Sequence, residues 1–126
     1  MTPHALIVDD EAAIRMVARL GLERVAGWSV SEASGADEAL AAITERRPDV
    51  VLLDVMMPGQ DGPQTLEHLR ALPGGAQLAV VFLTAKAMRA EVERLRALGV
   101  DGVIAKPFDP MTLAAEVSEV LGWASV

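Results

Sequence analysis

The sequence contains no cysteine and no tyrosine, and aromatic residues make up only 3% of its 126 residues. Without cysteine, neither disulfides nor thiolate metal sites can form. The longest uninterrupted apolar run, residues 78–83, is far too short to cross a bilayer. No basic segment precedes an apolar run at the N-terminus, so the pattern of a secretory signal is missing. These absences predict a cytoplasmic protein that does not bind membranes.

Acidic residues outnumber basic ones and give the chain a formal net charge of −7. Because nucleic-acid binding depends largely on neutralising phosphates with basic side chains, we expect no direct contact with nucleic acid. The ordinary role of such a charge is solubility. The length of 126 residues fits one domain, and the residues that carry the motifs described below span positions 4–122.

Apolar runs and helical spacing alternate five times along the chain. Four of these runs are continuously apolar, as in parallel strands covered on both faces, and they comprise residues 5–8, 50–53, 78–83 and 103–105. Residues 28–33 predict a shorter strand that also contains polar residues. The spacing of apolar residues predicts helices over residues 11–25, 36–46, 63–72, 86–98 and 109–122. Five such units with right-handed crossovers predict an α/β fold, a doubly wound three-layer (βα)5 sandwich. Its five-stranded parallel sheet would have the flavodoxin-like order 2-1-3-4-5.

Some expected details concern helix faces and helix ends. The first helix should bury Val25 on the face that also carries Ile14, and the fourth helix should bury Met88. The last helix should be capped by Asp109, with Pro110 in its first turn. Each expectation depends on helical spacing or on local capping chemistry alone.

Polar side chains stand where four of the five apolar runs end. Asp9 and Asp10 follow the first run, Asp54 the third, Thr84 the fourth and Lys106 the fifth. Because parallel strands end at one edge of the sheet, where ligands bind beside the switch in strand order, these side chains should converge. Two carboxylates about 4 Å apart repel by roughly 4 kcal/mol. The three carboxylates therefore require a proton, a cation or a basic side chain.

This set of groups suits phosphoryl transfer. Carboxylate oxygens are ligands for Mg2+, which keeps waters that substrate oxygens can replace. Lys106 would add positive charge and Thr84 a hydroxyl donor at the same point. Asp54 lies centrally and is the candidate nucleophile. Asp9 and Asp10 as helix caps and Asp54 as a turn residue are the ordinary alternatives, but the convergence of all five groups on one edge favours a site.

The chain resembles the receiver domains of two-component response regulators along its whole length. The matching segments are LIVDDE at 6–11, VLLDVMMPGQDG at 51–62, LTAK at 83–86 and KPF at 106–108. The resemblance implies that a histidine kinase or a histidine phosphotransfer protein donates a phosphoryl group from phosphohistidine to Asp54, with Mg2+ as cofactor. The protein would act as a phosphorylation-dependent switch or a phosphorelay intermediate.

The resemblance also assigns roles at the metal. Asp10 would bind Mg2+ directly and Asp9 would assist, often through water. Asp54 and the backbone carbonyl of Met56 would complete the protein ligands.

Further roles concern the acyl phosphate itself. Lys106 would pair with it, and Thr84 would move to hydrogen-bond it. The chain would thus catalyse only its own phosphorylation and dephosphorylation, and would not be an enzyme in the usual sense. The Lys106–Pro107 peptide bond is expected to be cis, an arrangement found in only about 5–6% of X–Pro bonds in folded proteins.

Partner docking is expected on the first helix and on the loop after the last strand, at Ile14, Val17, Pro107 and Phe108. The chain departs from many relatives at Val103, where they carry an aromatic ring that swings inward. We therefore expect a smaller conformational output, concentrated in the loop after the fourth strand.

The last helix lacks the charged residues through which one DNA-binding subfamily dimerises. The chain thus resembles stand-alone receivers, of the chemotaxis-regulator kind, or receivers attached to kinases. We expect a monomer that binds an unidentified downstream protein.

Three alternatives remain open from the sequence. The chain could be a receiver domain excised from a hybrid histidine kinase. It could be a Mg2+-dependent phosphohydrolase with an aspartyl nucleophile, although Met56 stands where that class carries a second Asp. It could be a flavodoxin-type electron carrier, although Asp9 and Asp10 stand where that class has a Ser/Thr/Gly-rich phosphate loop.

Overall fold

The computed structural model describes residues 2–123, which form a five-stranded parallel sheet flanked by helices. The strands are β1 (His4–Val8), β2 (Ser29–Ala33), β3 (Val50–Asp54), β4 (Val80–Thr84) and β5 (Gly102–Ala105). The α-helices are α1 (Ala12–Arg19), α2 (Ala36–Glu45), α3 (Gly62–Ala71), α4 (Arg89–Arg96) and α5 (Leu113–Leu121). The strand order β2-β1-β3-β4-β5 confirms the predicted doubly wound, flavodoxin-like fold. Within residues 2–123, no helix has the length and apolarity needed to cross a membrane.

The sheet separates two apolar cores because successive side chains on a strand point to opposite faces. Leu6, Leu53 and Phe82 lie in the core covered by α2, α3 and α4. Ile7 and Leu52 lie in the other core, which α1 and α5 cover. Every residue of β1, β3 and β4 is buried, which explains why these strands read as continuous apolar runs. The two cores together hold the strand ends in place.

The first helix changes its winding after Arg19 and continues as a π-helical segment, Leu20–Val25. A π-helix bonds i to i+5 and so alters which residues share a face. Leu22 is buried in the core, whereas Val25 is 46% exposed, so the expectation that Val25 is buried was wrong. Gly21 lies within this segment and packs against the backbone of Pro110, which precedes α5.

Helix α4 begins later than helical spacing predicted. Met88 is its N-cap residue and has extended backbone geometry, so its side chain leaves the helical face and is 78% exposed. The expectation that Met88 is buried was therefore wrong. The same helix does bury Leu95.

Helix α5 also begins about one turn later than expected, with Thr112 at its N-cap position. The Asp109 carboxylate instead accepts a hydrogen bond from the Met111 N–H at 2.8 Å and closes a turn before the helix. The prediction that Asp109 caps α5 was thus wrong, because the short-range turn uses the same carboxylate. The Lys106–Pro107 peptide bond before this turn is cis, as predicted.

Helices α2 and α3 lie within one residue of their predicted bounds at each end. Helix α3 begins with a capping box in which Asp61 and Gln64 bond each other's backbone N–H groups, and Pro63 occupies the first turn. Local sequence signals suffice here because the helix start depends only on neighbouring residues.

The contact between Gly21 and Pro110 generates a stability prediction. A Cβ atom at position 21 would lie 2.5 Å from the Pro110 carbonyl oxygen. Gly21→Ala should therefore lower the free energy of unfolding by about 1–3 kcal/mol, the usual cost of overpacking. The expected loss of stability is opposite in sign to the usual effect of this substitution, because replacing glycine by alanine in a helix interior ordinarily stabilises the helix by about 1 kcal/mol. Urea unfolding measures the change.

Gly35→Ser provides the control for this measurement. A Cβ at position 35 meets no atom of the described residues within 4 Å, and serine suits the N-cap position that Gly35 occupies. Its free energy of unfolding should stay within about 0.5 kcal/mol of wild type or rise. A Gly21→Ala protein as stable as wild type would contradict a tight contact with Pro110.

Candidate functional site

The carboxyl ends of β1, β3, β4 and β5 bring the predicted polar residues to one edge of the sheet. Carboxylate oxygens of Asp9, Asp10 and Asp54 all lie within 4.8 Å of one another. Asp9 and Asp54 are buried, whereas Asp10 is exposed. The cluster predicted from strand ends is therefore assembled in the fold, with one carboxylate facing solvent.

Lys106 supplies the counter-charge to this cluster. Its Nζ atom donates to Asp9 Oδ2 at 2.8 Å and to Asp54 Oδ1 at 3.0 Å. The lysine side chain is only 13% exposed, so this ion pair is shielded from solvent. One ammonium balances one of three carboxylates, which leaves the cluster with an excess negative charge suited to a cation.

Backbone N–H groups add a second donor to each buried carboxylate, at the other oxygen of Asp9 and at the same oxygen of Asp54. The Glu11 N–H donates to Asp9 Oδ1 at 2.9 Å, and the Met56 N–H approaches Asp54 Oδ1 at 3.4 Å. Met56 thus lies directly beside the nucleophile candidate, in the loop after β3, with its side chain exposed. Both oxygens of the Asp9 carboxylate are therefore held, whereas the two donors to Asp54 converge on Oδ1.

Thr84 is the last residue of β4, and its side chain is buried. Its hydroxyl hydrogen-bonds the backbone of the loop that follows β4. Thr84 Oγ1 accepts from the Lys86 N–H at 3.0 Å and lies 3.4 Å from the Lys86 carbonyl oxygen. This hydroxyl would have to leave Lys86 in order to serve a ligand at the acidic cluster. A cavity of about 350 Å3 opens on the far side of Thr84 and Met56, between the loop after β3 and α4, and none of the three carboxylates lines it.

The pKa values of Asp54 and Lys106 are both raised, for different physical reasons. Burial raises the pKa of Asp54, and the neighbouring Asp9 charge adds to that rise, although hydrogen bonding to Lys106 opposes it. Burial lowers the pKa of Lys106, but hydrogen bonds to Asp9 and Asp54, with their charges, outweigh burial and raise it above its ordinary value. Lys106 therefore stays protonated at neutral pH, and the ionised form of Asp54 carries a free-energy cost.

The four predicted docking residues follow site residues in the chain, because Ile14 and Val17 lie on α1 after Asp10, and Pro107 and Phe108 come directly after Lys106. Ile14, Val17 and Phe108 are half-buried, and Pro107 is exposed. Phe108 packs against the core that α1 and α5 cover, so only part of its ring faces outward. All four side chains thus leave some apolar surface exposed, and their role in docking stays a prediction.

Sequence reasoning missed one residue that contacts the cluster. Arg15 Nη1 donates to the backbone carbonyl of Asp9 at 2.8 Å, and Arg15 Nε pairs with Glu32 Oε1 at 3.0 Å. From sequence alone, an arginine one turn into a helix is ordinarily interpreted as a solvent-exposed surface residue. Its position five residues after Asp10 was the available signal, but the contact also depends on Glu32 of β2, which pairs with Arg15 only in the folded chain.

Comparison with known proteins addresses the family directly. Residues 5–118 match the family model described as the response regulator receiver domain. The chain belongs to this family.

Relatives place receiver domains of this kind in several contexts. The chain is 38% identical over 116 residues to the phosphate regulon transcriptional regulatory protein PhoB of Pseudomonas aeruginosa, covering 92% of the chain and 50% of that protein. Among solved structures, chemotaxis response regulator CheY4 of Vibrio cholerae is similar with a TM-score of 0.86 and 30% identity, covering 96% of this chain and 100% of that one. The receiver domain of a histidine kinase from Syntrophus aciditrophicus is similar with a TM-score of 0.80 and 28% identity, covering 96% and 91%.

The chain spans about half the length of the curated relatives that it matches. Receiver domains are signalling domains rather than classical enzymes, and their place in two-component systems implies a kinase or phosphotransfer partner. Membership of this family favours the receiver interpretation over the phosphohydrolase and the flavin-carrier alternatives. Whether the receiver domain stands alone or forms part of a longer protein stays a prediction, because similar domains occur in both settings.

The cost of the charge on Asp54 leads to a prediction about the metal-free protein. In EDTA, Asp54→Asn should unfold at a higher temperature than wild type, because a neutral amide avoids the burial cost and the repulsion from Asp9, while Lys106 keeps Asp9 as its partner. We expect a gain of about 1 kcal/mol, or about 4 °C. The native state binds the Asp54 proton more tightly than the unfolded chain does. The difference in unfolding temperature between the variant and wild type therefore shrinks as the pH falls through the raised pKa of Asp54.

Thermal unfolding followed by circular dichroism at a series of pH values checks this expectation. Asp37→Asn removes an exposed carboxylate in the first turn of α2 and should not raise the unfolding temperature, because a negative charge at the helix N-terminus stabilises the helix. A lower unfolding temperature for Asp54→Asn at neutral pH would mean that the ion pair with Lys106 outweighs the burial cost.

Proposed function

We propose that this receiver domain accepts a phosphoryl group on Asp54 from a phosphohistidine donor, and that it acts as a phosphorylation-dependent switch or a phosphorelay intermediate. The observation that carries the proposal is the buried Asp54 carboxylate, which hydrogen-bonds Lys106 and lies beside two further carboxylates. A nucleophile, a fixed cation and an excess of negative charge meet at one point. This combination suits a phosphoryl group in transfer.

A divalent cation fits the donor set at this site. Asp9, Asp10 and Asp54 offer only oxygen ligands, and one ammonium leaves their charge incompletely balanced. Hard cations with oxygen ligands, Mg2+ above all, match such a set. We assign Mg2+ to these three carboxylates together with the backbone carbonyl of Met56. When bound, Mg2+ would supply charge neutralisation for the phosphoryl oxygens.

The chain's own residues carry the transfer. An Asp54 carboxylate oxygen forms a bond to phosphorus as the bond from phosphorus to the donor imidazole nitrogen breaks, and that nitrogen takes up a proton. Lys106 remains beside the new phosphoryl oxygens. Thr84 gives up its hydrogen bond to Lys86 and donates to a phosphoryl oxygen. Water later cleaves the acyl phosphate, so the domain catalyses only its own phosphorylation and dephosphorylation.

The donor approaches over the apolar surface beside the cluster. Ile14 and Val17 on α1 and Pro107 and Phe108 after β5 would receive the helices of a histidine kinase or phosphotransfer protein. The contact between Gly21 and the backbone at Pro110 ties the continuation of α1 to the β5–α5 loop. This tie supports the assignment of both segments to one docking surface.

Several broader assignments belong to the same proposal. We treat residues 1–126 as a single receiver domain that works in the cytoplasm as a monomer, without direct nucleic-acid or membrane binding. Its output would be binding to a downstream protein. A receiver domain within a hybrid histidine kinase is the second candidate, favoured by the similarity to a kinase receiver domain.

Phosphoryl transfer to Asp54 is tested with acetyl phosphate and intact-mass measurement. With Mg2+ present, the mass should rise by one phosphoryl group, and with EDTA it should not. Asp54→Asn should abolish labelling, because an amide is not a nucleophile that forms an acyl phosphate.

Asp37→Asn is the matched control, because Asp37 is an exposed carboxylate in the first turn of α2. Its labelling should equal that of wild type. Stoichiometric labelling of Asp54→Asn would mean that another residue accepts the phosphoryl group, and it would contradict the assignment of Asp54 as the acceptor.

The docking surface is tested by comparing two donors. Phe108→Ala should slow transfer from a phosphorylated histidine phosphotransfer protein by about tenfold, the effect of losing about 1.4 kcal/mol of contact energy. Labelling by acetyl phosphate should stay unchanged, since a small donor needs no docking surface. Rapid-quench kinetics with both donors measures the difference.

Leu98→Ala is the control, because Leu98 is an exposed apolar residue that follows α4, away from the docking residues. It should leave both rates at the wild-type value. Equal slowing of both donors by Phe108→Ala would contradict docking and indicate disturbed packing of the core that Phe108 contacts.

A further inference from the structure

We infer that Arg15 is a positioning residue for the acidic site. Its guanidinium group holds the turn that carries Asp9 and Asp10, and it thereby sets the affinity of the site for Mg2+. The inference rests on the proposed function, because it concerns how the same three carboxylates meet a divalent cation.

The contacts of Arg15 join three elements. Its Nη1 atom donates to the backbone carbonyl oxygen of Asp9 at 2.8 Å, and its Nε atom pairs with Glu32 Oε1 on β2 at 3.0 Å. The side chain is only 19% exposed, so solvent competes little for either contact. A guanidinium is planar and rigid, so Glu32 fixes the direction in which Arg15 presents its second donor.

The peptide group between Asp9 and Asp10 is the part of the site that most needs such support. Both Asp9 carboxylate oxygens already have donors, the Glu11 N–H and the Lys106 ammonium. Asp10 is exposed, and within residues 2–123 its side chain accepts no hydrogen bond from the protein. Its direction therefore depends on the backbone, whose carbonyl oxygen at Asp9 is the atom that Arg15 binds.

The neighbouring Arg19 provides a matched comparison. Its Nε atom pairs with Glu32 Oε2 at 2.7 Å, and its Nη1 atom pairs with Glu23 at 2.9 Å. Arg19 thus shares the Glu32 carboxylate with Arg15, lies one turn further along α1 and has no hydrogen bond to Asp9. Replacing either arginine by glutamine removes one positive charge and one contact with Glu32, but only the change at Arg15 frees the Asp9 carbonyl.

Charge and positioning predict opposite effects on metal binding. Removing a positive charge near three carboxylates strengthens the attraction for a cation, so Arg15→Gln would tighten Mg2+ binding if charge alone mattered. Loss of a group that orients a metal ligand weakens binding, commonly by about 10–100-fold. The direction of the change in Kd therefore separates the two roles.

The experiment measures Mg2+ binding by isothermal titration calorimetry for wild type, Arg15→Gln and Arg19→Gln. We expect Kd to rise about tenfold for Arg15→Gln, at the lower end of the range for outer-shell partners. For Arg19→Gln, Kd should stay within about twofold of wild type or fall slightly. Circular dichroism and thermal unfolding in EDTA establish that each variant is folded at the titration temperature.

A second measurement follows labelling by acetyl phosphate as a function of Mg2+ concentration. For Arg15→Gln, the Mg2+ concentration that gives half the maximal rate should rise about tenfold, while the rate at saturating Mg2+ stays within about twofold of wild type. A variant with a disturbed fold would also have a lower maximal rate. A higher half-maximal Mg2+ concentration with an unchanged maximal rate therefore identifies a defect confined to metal affinity.

The outcomes are distinct for the two proposals. Equal Kd values for Arg15→Gln and Arg19→Gln, or tighter binding by Arg15→Gln, would overturn the positioning role and leave the proposed function intact. Absence of Mg2+ binding by the wild-type protein would overturn the proposed function, and the positioning role with it.

Discussion

Electrostatic repulsion among three carboxylates at one edge of the sheet is the constraint on which the rest of this structure depends. Asp9, Asp10 and Asp54 offer oxygens within 4.8 Å of one another, and two of these residues are buried. The only ammonium that hydrogen-bonds them within residues 2–123 comes from Lys106, which is 97 residues from Asp9 in the chain. The site therefore exists only when β1, β3 and β5 are assembled, so the fold and the site form together.

The remainder of the fold compensates for this unfavourable cluster. Two apolar cores bury both faces of β1, β3 and β4, and hydrophobic burial of that kind is the dominant favourable term in folding. The polar residues occupy strand ends and adjoining loops, where rigid strands fix their positions without placing charge in the apolar interior. Natural proteins commonly break local rules at a functional site and offset the cost elsewhere, and this cluster is an instance.

In the proposed switch, the end of β4 and the loop after it would carry a change at Asp54 to the surface. Thr84 is buried at the end of β4, and its hydroxyl is engaged with Lys86 in the exposed segment that leads to α4. Movement of that hydroxyl toward Asp54 would release this segment. Val103 pairs with Phe82 across β4 and β5 and is only half-buried. A β-branched side chain has few rotamers, so the loop after Thr84 is better suited than position 103 to carry the change.

The sequence by itself determined the five strand–helix units, the parallel sheet and the convergence of Asp9, Asp54 and Lys106, because alternating strand and helix patterns favour a doubly wound sheet whose strands end at one edge. It did not determine the π-helical turn that exposes Val25, or the exposed side chain of Met88 before α4. It also left the contact of Arg15 with the Asp9 carbonyl undetermined. Local patterns specify which elements form, whereas these features depend on atoms that meet only when separate elements pack together.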